Sequence, residues 1–109
     1  MAAHGSGPAG ELKLVVESSP AEVVVHCSGK ITASTASAFL NQVRPLVSQA
    51  GRIVLDLAEV GYIDSSGLGA IARMWSTAQK SSCAFKLANV APRIKDLLAM
   101  TNLSSIFDA

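Results

Sequence analysis

Two β-branched runs, Leu12-Lys-Leu-Val-Val-Glu17 and Val23-Val-Val-His-Cys-Ser28, flank the turn-forming Ser18-Ser19-Pro20-Ala21 and predict an antiparallel hairpin. After Gly29 the hydrophobic period changes. Ala36, Phe39, Leu40, Val43, Val47 and Ala50 recur at helical spacing, with Thr32 or Ser34 available as N-cap and Gly51 placed to end the helix. Pro45 lies inside this pattern and should kink or loosen the helix near the Asn41 carbonyl. Arg52-Ile-Val-Leu-Asp-Leu57 reads as a short buried strand. A second helix is expected over 66–81, its inner stripe formed by Leu68, Ile71, Ala72, Trp75 and Ala78. Ala84-Phe-Lys-Leu-Ala88 is another strand. Pro92 then opens a third helix whose inner face is Ile94, Leu97, Leu98 and Thr101. Ser105-Ile-Phe-Asp-Ala109 is compatible with a last short edge strand.

The order β-β-α-β-α-β-α-(β) predicts an α/β fold with right-handed crossovers and an open, mixed, mostly parallel sheet, the hairpin supplying its antiparallel strand. The Gly/Ala-rich residues 1–10 read as a flexible tail, leaving one domain over 11–109.

Composition narrows the function classes. Half of the 109 residues are hydrophobic, enough for one core, and nine Lys+Arg against eight Asp+Glu leave a net charge of +1. With the basic residues scattered, no nucleic-acid face is indicated. Cys27 and Cys83 have no CxxC spacing and are accompanied only by His4 and His26, which reads as two buried thiols in a reducing cytosol, with no metal site. No signal peptide and no apolar stretch approaching the roughly 20 residues of a membrane span are present, so a cytoplasmic location is expected.

Chemistry concentrates in Val60-Gly-Tyr-Ile-Asp-Ser-Ser-Gly-Leu-Gly69, between the expected strand and the helix that begins near 66. Loops at the carboxyl ends of strands are where open α/β sheets meet ligands and partners. Asp64, Ser65 and Ser66 admit two readings. All three are good helix N-caps. One hydroxyl could instead be a phosphate acceptor, the sharper but less weighted reading, because a helix N-terminus offers unpaired N–H groups and a partial positive charge to a dianion. Gly67 and Gly69 weaken a first helical turn and leave room for another backbone to approach.

The segment Ile53-Val-Leu-Asp-Leu-Ala-Glu-Val-Gly-Tyr-Ile-Asp-Ser-Ser-Gly-Leu-Gly69 resembles the signature of the STAS domain, in particular of bacterial anti-sigma factor antagonists. Val90-Ala-Pro-Arg-Ile-Lys-Asp-Leu-Leu-Ala-Met-Thr-Asn-Leu103 is also similar to the family's third-helix region, and element order agrees over roughly residues 12–107. The resemblance implies an open sheet with helices packed mainly on one face. It also implies a partner-switching cycle. The unphosphorylated protein binds an anti-sigma factor that is a serine kinase, phosphorylation releases it, and a serine phosphatase resets it. Carried onto this chain, the acceptor is Ser65, with Asp64 its acidic neighbour and Ser66 in the serine-or-threonine position. Asp64, Ser66, Gly67, Leu68, Gly69, Tyr62 and Thr32 are then the expected partner-binding residues. The nucleotide would belong to the kinase, so no cofactor and no catalysis are expected of this chain.

The family commonly has glycine, glutamate, leucine, aspartate where the second strand meets the first helix. Here the sequence is Gly29-Lys-Ile-Thr32, and Asn102 stands at a usual glycine. The sequence stops at Ala109, before the final helix of many relatives, so part of one sheet face is expected to be uncovered, which favours a homodimer, a companion subunit or a chain trimmed at that point. The alternative function is a STAS docking or scaffold module, in a stress-signalling complex or beside a transporter, without phospho-regulation. A serine hydrolase is disfavoured: Ile63 lies two before Ser65 and Asp64 two before Ser66, so the Gly-x-Ser-x-Gly elbow is absent, and His26 belongs to a distant strand. Trp75 is expected in the core and Tyr62 in the loop before the motif. Arg73 and Met74 are candidates for partner contact.

Overall fold

The structure, a computed structural model, describes residues 11–100. Within them the order is β1 (Leu12–Ser18), β2 (Val23–Ile31), α1 (Ala36–Val43), a 3-10 turn (Arg44–Ser48), β3 (Arg52–Ile63), α2 (Ser65–Lys80), β4 (Ala84–Ala88) and α3 (Pro92–Met100). The fold is α/β. One open sheet runs β1-β2-β3-β4, with β1 antiparallel to β2 and the β2–β3 and β3–β4 pairs parallel. The expected strand at 105–109, Thr101, Asn102 and the tail at 1–10 lie outside the described residues.

Strand alternation decides which face is covered. Val23, Val25 and Cys27 on β2, with Ile53, Leu55 and Leu57 on β3, are buried, and they join Phe39, Val43, Ile71, Met74 and Leu98 in one apolar core. Full burial of each large side chain stabilises the fold by about 1.5–3 kcal/mol before the opposing chain entropy is counted. Val24, His26, Val54 and Asp56 alternate with them on the other face and are only half-buried.

Several expectations change. The strand read as 52–57 continues to Ile63. The pairing with β2 shifts between His26 and Ser28 and again between Gly29 and Lys30, each time adding a residue to β3. These bulges put Leu57, Val60 and Ile63 inside at a spacing of three, which does not look like a strand in sequence. Tyr62 is therefore a strand residue, not a loop residue.

The first helix takes Thr35 as its N-cap residue, not Thr32 or Ser34, and it stops at Val43. Pro45 has no N–H for the Asn41 carbonyl, so the chain tightens to 3-10 and ends at Ser48, capped by Gln49, whose N–H reaches Leu46 O, and not by Gly51. The buried side of α2 comprises Gly67, Leu68, Ala70, Ile71, Met74 and Ala78. Met74, expected to face a partner, is fully buried, and Trp75, expected in the core, is half-buried at its margin. Both cysteines are free and buried, and burial pushes the Cys27 thiol up to about 12.

Candidate functional site

Ile31 and Ile63 are register partners at the ends of β2 and β3, so the turn into α1 and the start of α2 emerge side by side. Asp64 joins them. Its Oδ1 accepts from Gly67 N at 2.9 Å, the N-cap bond of α2, and its Oδ2 accepts from Ala33 N at 3.2 Å in the neighbouring turn. Its own N–H reaches Ile31 O at 3.3 Å and its carbonyl accepts the first helical bond from Leu68 N at 2.9 Å. Both carboxylate oxygens of Asp64 are thus committed to holding two backbone segments together.

The Thr32–Thr35 turn has its own knot. Thr35 is 1% exposed; its Oγ1 donates to Lys30 O at 2.9 Å and accepts from Thr32 N at 2.9 Å. Thr32 O receives the N–H groups of Thr35 and Ala36, and Thr32 Oγ1 lies 3.1 Å from Ser34 Oγ. Sequence reasoning misses Thr35, because nothing in the chain separates it from the hydroxyls of Thr32 and Ser34.

Ser65 is the first residue of α2 and is exposed, and among the described residues no hydrogen bond engages its hydroxyl. Ser66 is also exposed. It lines a groove of about 320 Å³ between α1 and α2, with Ala33, Ala36, Ser37, Leu40, Gly69, Ala70 and Arg73. Spacing explains the lining: Ser66, Gly69, Ala70 and Arg73 fall at i, i+3, i+4 and i+7 on one helix face.

The two glycines differ. A Cβ on Gly67 would overlap the Ile31 carbonyl oxygen and come within 2.9 Å of Ile63 Cγ2, whereas one on Gly69 meets nothing within 4 Å. Gly67 lets α2 dock against the end of β2, and Leu68 beside it is buried. Of the expected partner-binding residues, Gly67 and Leu68 face the interior. Ser66, Gly69 and Tyr62 (53% exposed) face outward, with Thr32 and Asp64 between. Lys30 is the register neighbour of Tyr62, and neither Lys30 nor Arg73 has an ion-pair partner among the described residues.

A second polar cluster lies on the sheet face opposite the core. His26 Nε2 meets Glu17 Oε1 at 2.9 Å and its Nδ1 meets Asp56 Oδ2 at 2.9 Å. Asp56 Oδ1 also accepts from Asn89 Nδ2 and Ala58 N. The bond to Glu17, then that to Asp56, raises the His26 pKa above its ordinary 6.5. Asn89 first, with Ala58 and His26 after it, holds the Asp56 carboxyl below its ordinary value against the opposing cost of burial. The residues of this cluster lie far apart in sequence and only the strand register assembles them.

Comparison with known proteins follows the same lines. A family model described as "Mlab, STAS domain" matches residues 14–108. The chain belongs to the STAS domain family. This STAS domain is 29% identical over 87 residues to the anti-sigma-B factor antagonist of Bacillus subtilis strain 168, covering 80% of each chain. It is 25% identical to the crystal structure of an anti-sigma factor antagonist from Mycobacterium paratuberculosis, with a TM-score of 0.79 over 92% of this chain and 86% of that one. The Bacillus cell fate determinant SpoIIAA in its phosphorylated form shares the fold at a TM-score of 0.67 and 14% identity, over 87% of this chain and 88% of that one.

Proposed function

We propose that this STAS domain is an anti-sigma factor antagonist, regulating transcription by partner switching through phosphorylation of Ser65. The observation that carries the reading is the contrast between adjacent residues. Asp64 is locked into the backbone of two loops, while Ser65 stands exposed with its hydroxyl unengaged among the described residues, beside the α1–α2 groove. The relationship to an anti-sigma-B factor antagonist supports it.

In the unphosphorylated state an anti-sigma factor serine kinase docks over Ser65, Ser66, Gly69 and Tyr62. Lys30 and Arg73 offer it cations that no carboxylate of the described residues neutralises. The γ-phosphoryl group of the kinase's ATP passes to Ser65 Oγ as its bond to the β-phosphate breaks, leaving ADP, and the hydroxyl proton is released to solvent. The new charge of about −2 sits at the centre of the contact, beside Asp64, where desolvation and like-charge repulsion oppose rebinding. A hundredfold loss of affinity requires about 2.7 kcal/mol, within what one unpaired charge at an interface supplies. A serine phosphatase restores the hydroxyl. This chain is substrate and switch in a cytoplasmic cycle, and it catalyses no step.

The test is intact-mass spectrometry after incubation with a candidate anti-sigma factor kinase and ATP. Wild type should gain about 80 Da, one phosphoryl group on a hydroxyl, and Ser65→Ala should gain nothing. In calorimetric titration Ser65→Ala should bind the kinase as wild type does, and Ser65→Asp at least about a hundredfold more weakly. Phosphorylation that persists in Ser65→Ala, or undiminished binding by Ser65→Asp, would remove Ser65 from the switch.

A further inference from the structure

We propose that two copies of this chain pair through β1, edge to edge and antiparallel about Val15, into one continuous sheet. The inference is independent of the phosphorylation cycle. It begins from the strand at one margin of the described sheet. β1 is seven residues long and, among the described strands, is paired only with β2. Exposed edges are templates for further pairing. This one carries two consecutive valines, Val15 and Val16, at 49% and 45% exposure, one on each face.

The hydrogen-bond phase restricts how a second copy can join. Lys30 N donates to Glu11 O at 2.6 Å, and Lys13, Val15 and Glu17 pair with Ser28, His26 and Val24. Antiparallel ladders alternate, so the odd-numbered residues bond inward to β2, and Leu14 and Val16 turn their N–H and C=O groups to the open edge. A symmetric pair must therefore match even residues with even residues, which places its two-fold axis on a residue, and the axes that pair most of Leu12–Ser18 are those at Leu14, Val15 and Val16.

Charge selects among the three. With the axis at Leu14, Lys13 stands opposite the partner's Val15; with the axis at Val16, Glu17 stands opposite the partner's Val15. Only the axis at Val15 sets Lys13 opposite the partner's Glu17, twice by symmetry, with Val15 against the partner's Val15 and Leu14 against the partner's Val16. These Lys–Glu and Val–Val positions are non-hydrogen-bonded pairs, where side chains approach most closely. Lys13 is exposed and without an ion-pair partner among the described residues. Glu17 uses Oε1 for His26, leaving Oε2 to the partner's Lys13. Because β1 begins beside the Thr32–Thr35 turn, where Ser34 Oγ donates to Glu11 Oε1, antiparallel pairing sends the two Ser65 sites to opposite ends of the joined sheet.

Sedimentation velocity of the full chain up to about 1 mM tests the pairing. Wild type should pass from monomer to dimer as concentration rises. Lys13→Glu and Glu17→Lys should each weaken self-association at least about tenfold, since both set like charges opposite one another. Mixed one to one, the two variants should form a heterodimer, because one chain then carries two carboxylates and the other two ammonium groups at the paired positions. Far-UV circular dichroism checks that each variant is folded. A wild type that remains monomeric throughout overturns the proposal, its edge being left to solvent or covered by the chain's own termini. A dimer indifferent to both reversals, or a mixture that does not associate, overturns it equally.

Discussion

A methyl group added at Gly67 and one added at Gly69 meet opposite surroundings, although both lie in the first turns of α2. At Gly67 the methyl overlaps the Ile31 carbonyl oxygen, a backbone atom that cannot rotate away. Gly67→Ala should therefore destabilise the fold by about 1–3 kcal/mol, the range for overpacking, as α2 is forced off the end of β2. Gly69→Ala meets open space and removes a helix-weakening glycine, so it should stabilise by up to about 1 kcal/mol. Urea unfolding of the two variants reads the contrast directly. Equal effects of one sign would contradict the packing described. Gly69→Ala should also weaken binding of the kinase, because its methyl projects into the α1–α2 groove. The two glycines are alike in sequence. Their division of labour becomes visible only once Ile31, from a distant strand, is seen under the helix.

At the scale of elements, β1, β2 and β3 are laced together by His26. With a carboxylate at each ring nitrogen, only the protonated imidazolium can donate to both. Its folded pKa is raised, so the stabilisation is complete below the unfolded value near 6.5 and is lost as pH rises through the folded value. Asp56 works in the other direction. Its folded pKa is lowered, so its contribution is present above the ordinary value of 3.8 and is lost as pH falls through the lowered one. The difference in unfolding free energy between wild type and His26→Asn should be largest in mildly acidic solution and shrink above neutrality. An NMR titration of the His26 ring with its midpoint at or below 6.5 would contradict the double bridge. The hairpin is legible because two β-branched runs flank a Ser-Pro turn, and α3 and β4 because each keeps one hydrophobic period. The far half of β3 is not, because two bulges break its alternation. Periodicity places Leu68, Ile71 and Ala78 on the inner side of α2 correctly and errs at Trp75: Met74 and Trp75 are both large and apolar, and only the neighbouring strands decide which one turns inward. The stretch Asp64-Ser65-Ser66 is legible as a helix start. The second bond of Asp64, to Ala33, is not, since it joins segments that only the β2–β3 register brings together.

Taken as a whole molecule, the domain sets an exposed helix start on a rigid core and rim. The four-stranded sheet and its helices bury one continuous core, and Asp64 and Thr35 fix the two loops at its rim. Ser65 contributes to none of this among the described residues. On the proposed function, a phosphoryl group at Ser65 would alter the surface without loosening the fold. The N-terminus of α2 moreover favours negative charge through its dipole and its unpaired N–H groups, which offsets repulsion from the neighbouring Asp64. Ser65→Asp should accordingly change the unfolding free energy by less than about 1 kcal/mol, while costing about 2.7 kcal/mol or more in binding to the kinase. Urea unfolding and calorimetric titration on the same protein separate the two quantities. A loss of binding accompanied by an equal loss of stability would mean that the charge acts by unravelling the start of α2. Lost binding with stability intact places the effect at the contact, where the carboxylate stands in for the charge that the proposed phosphorylation would bring.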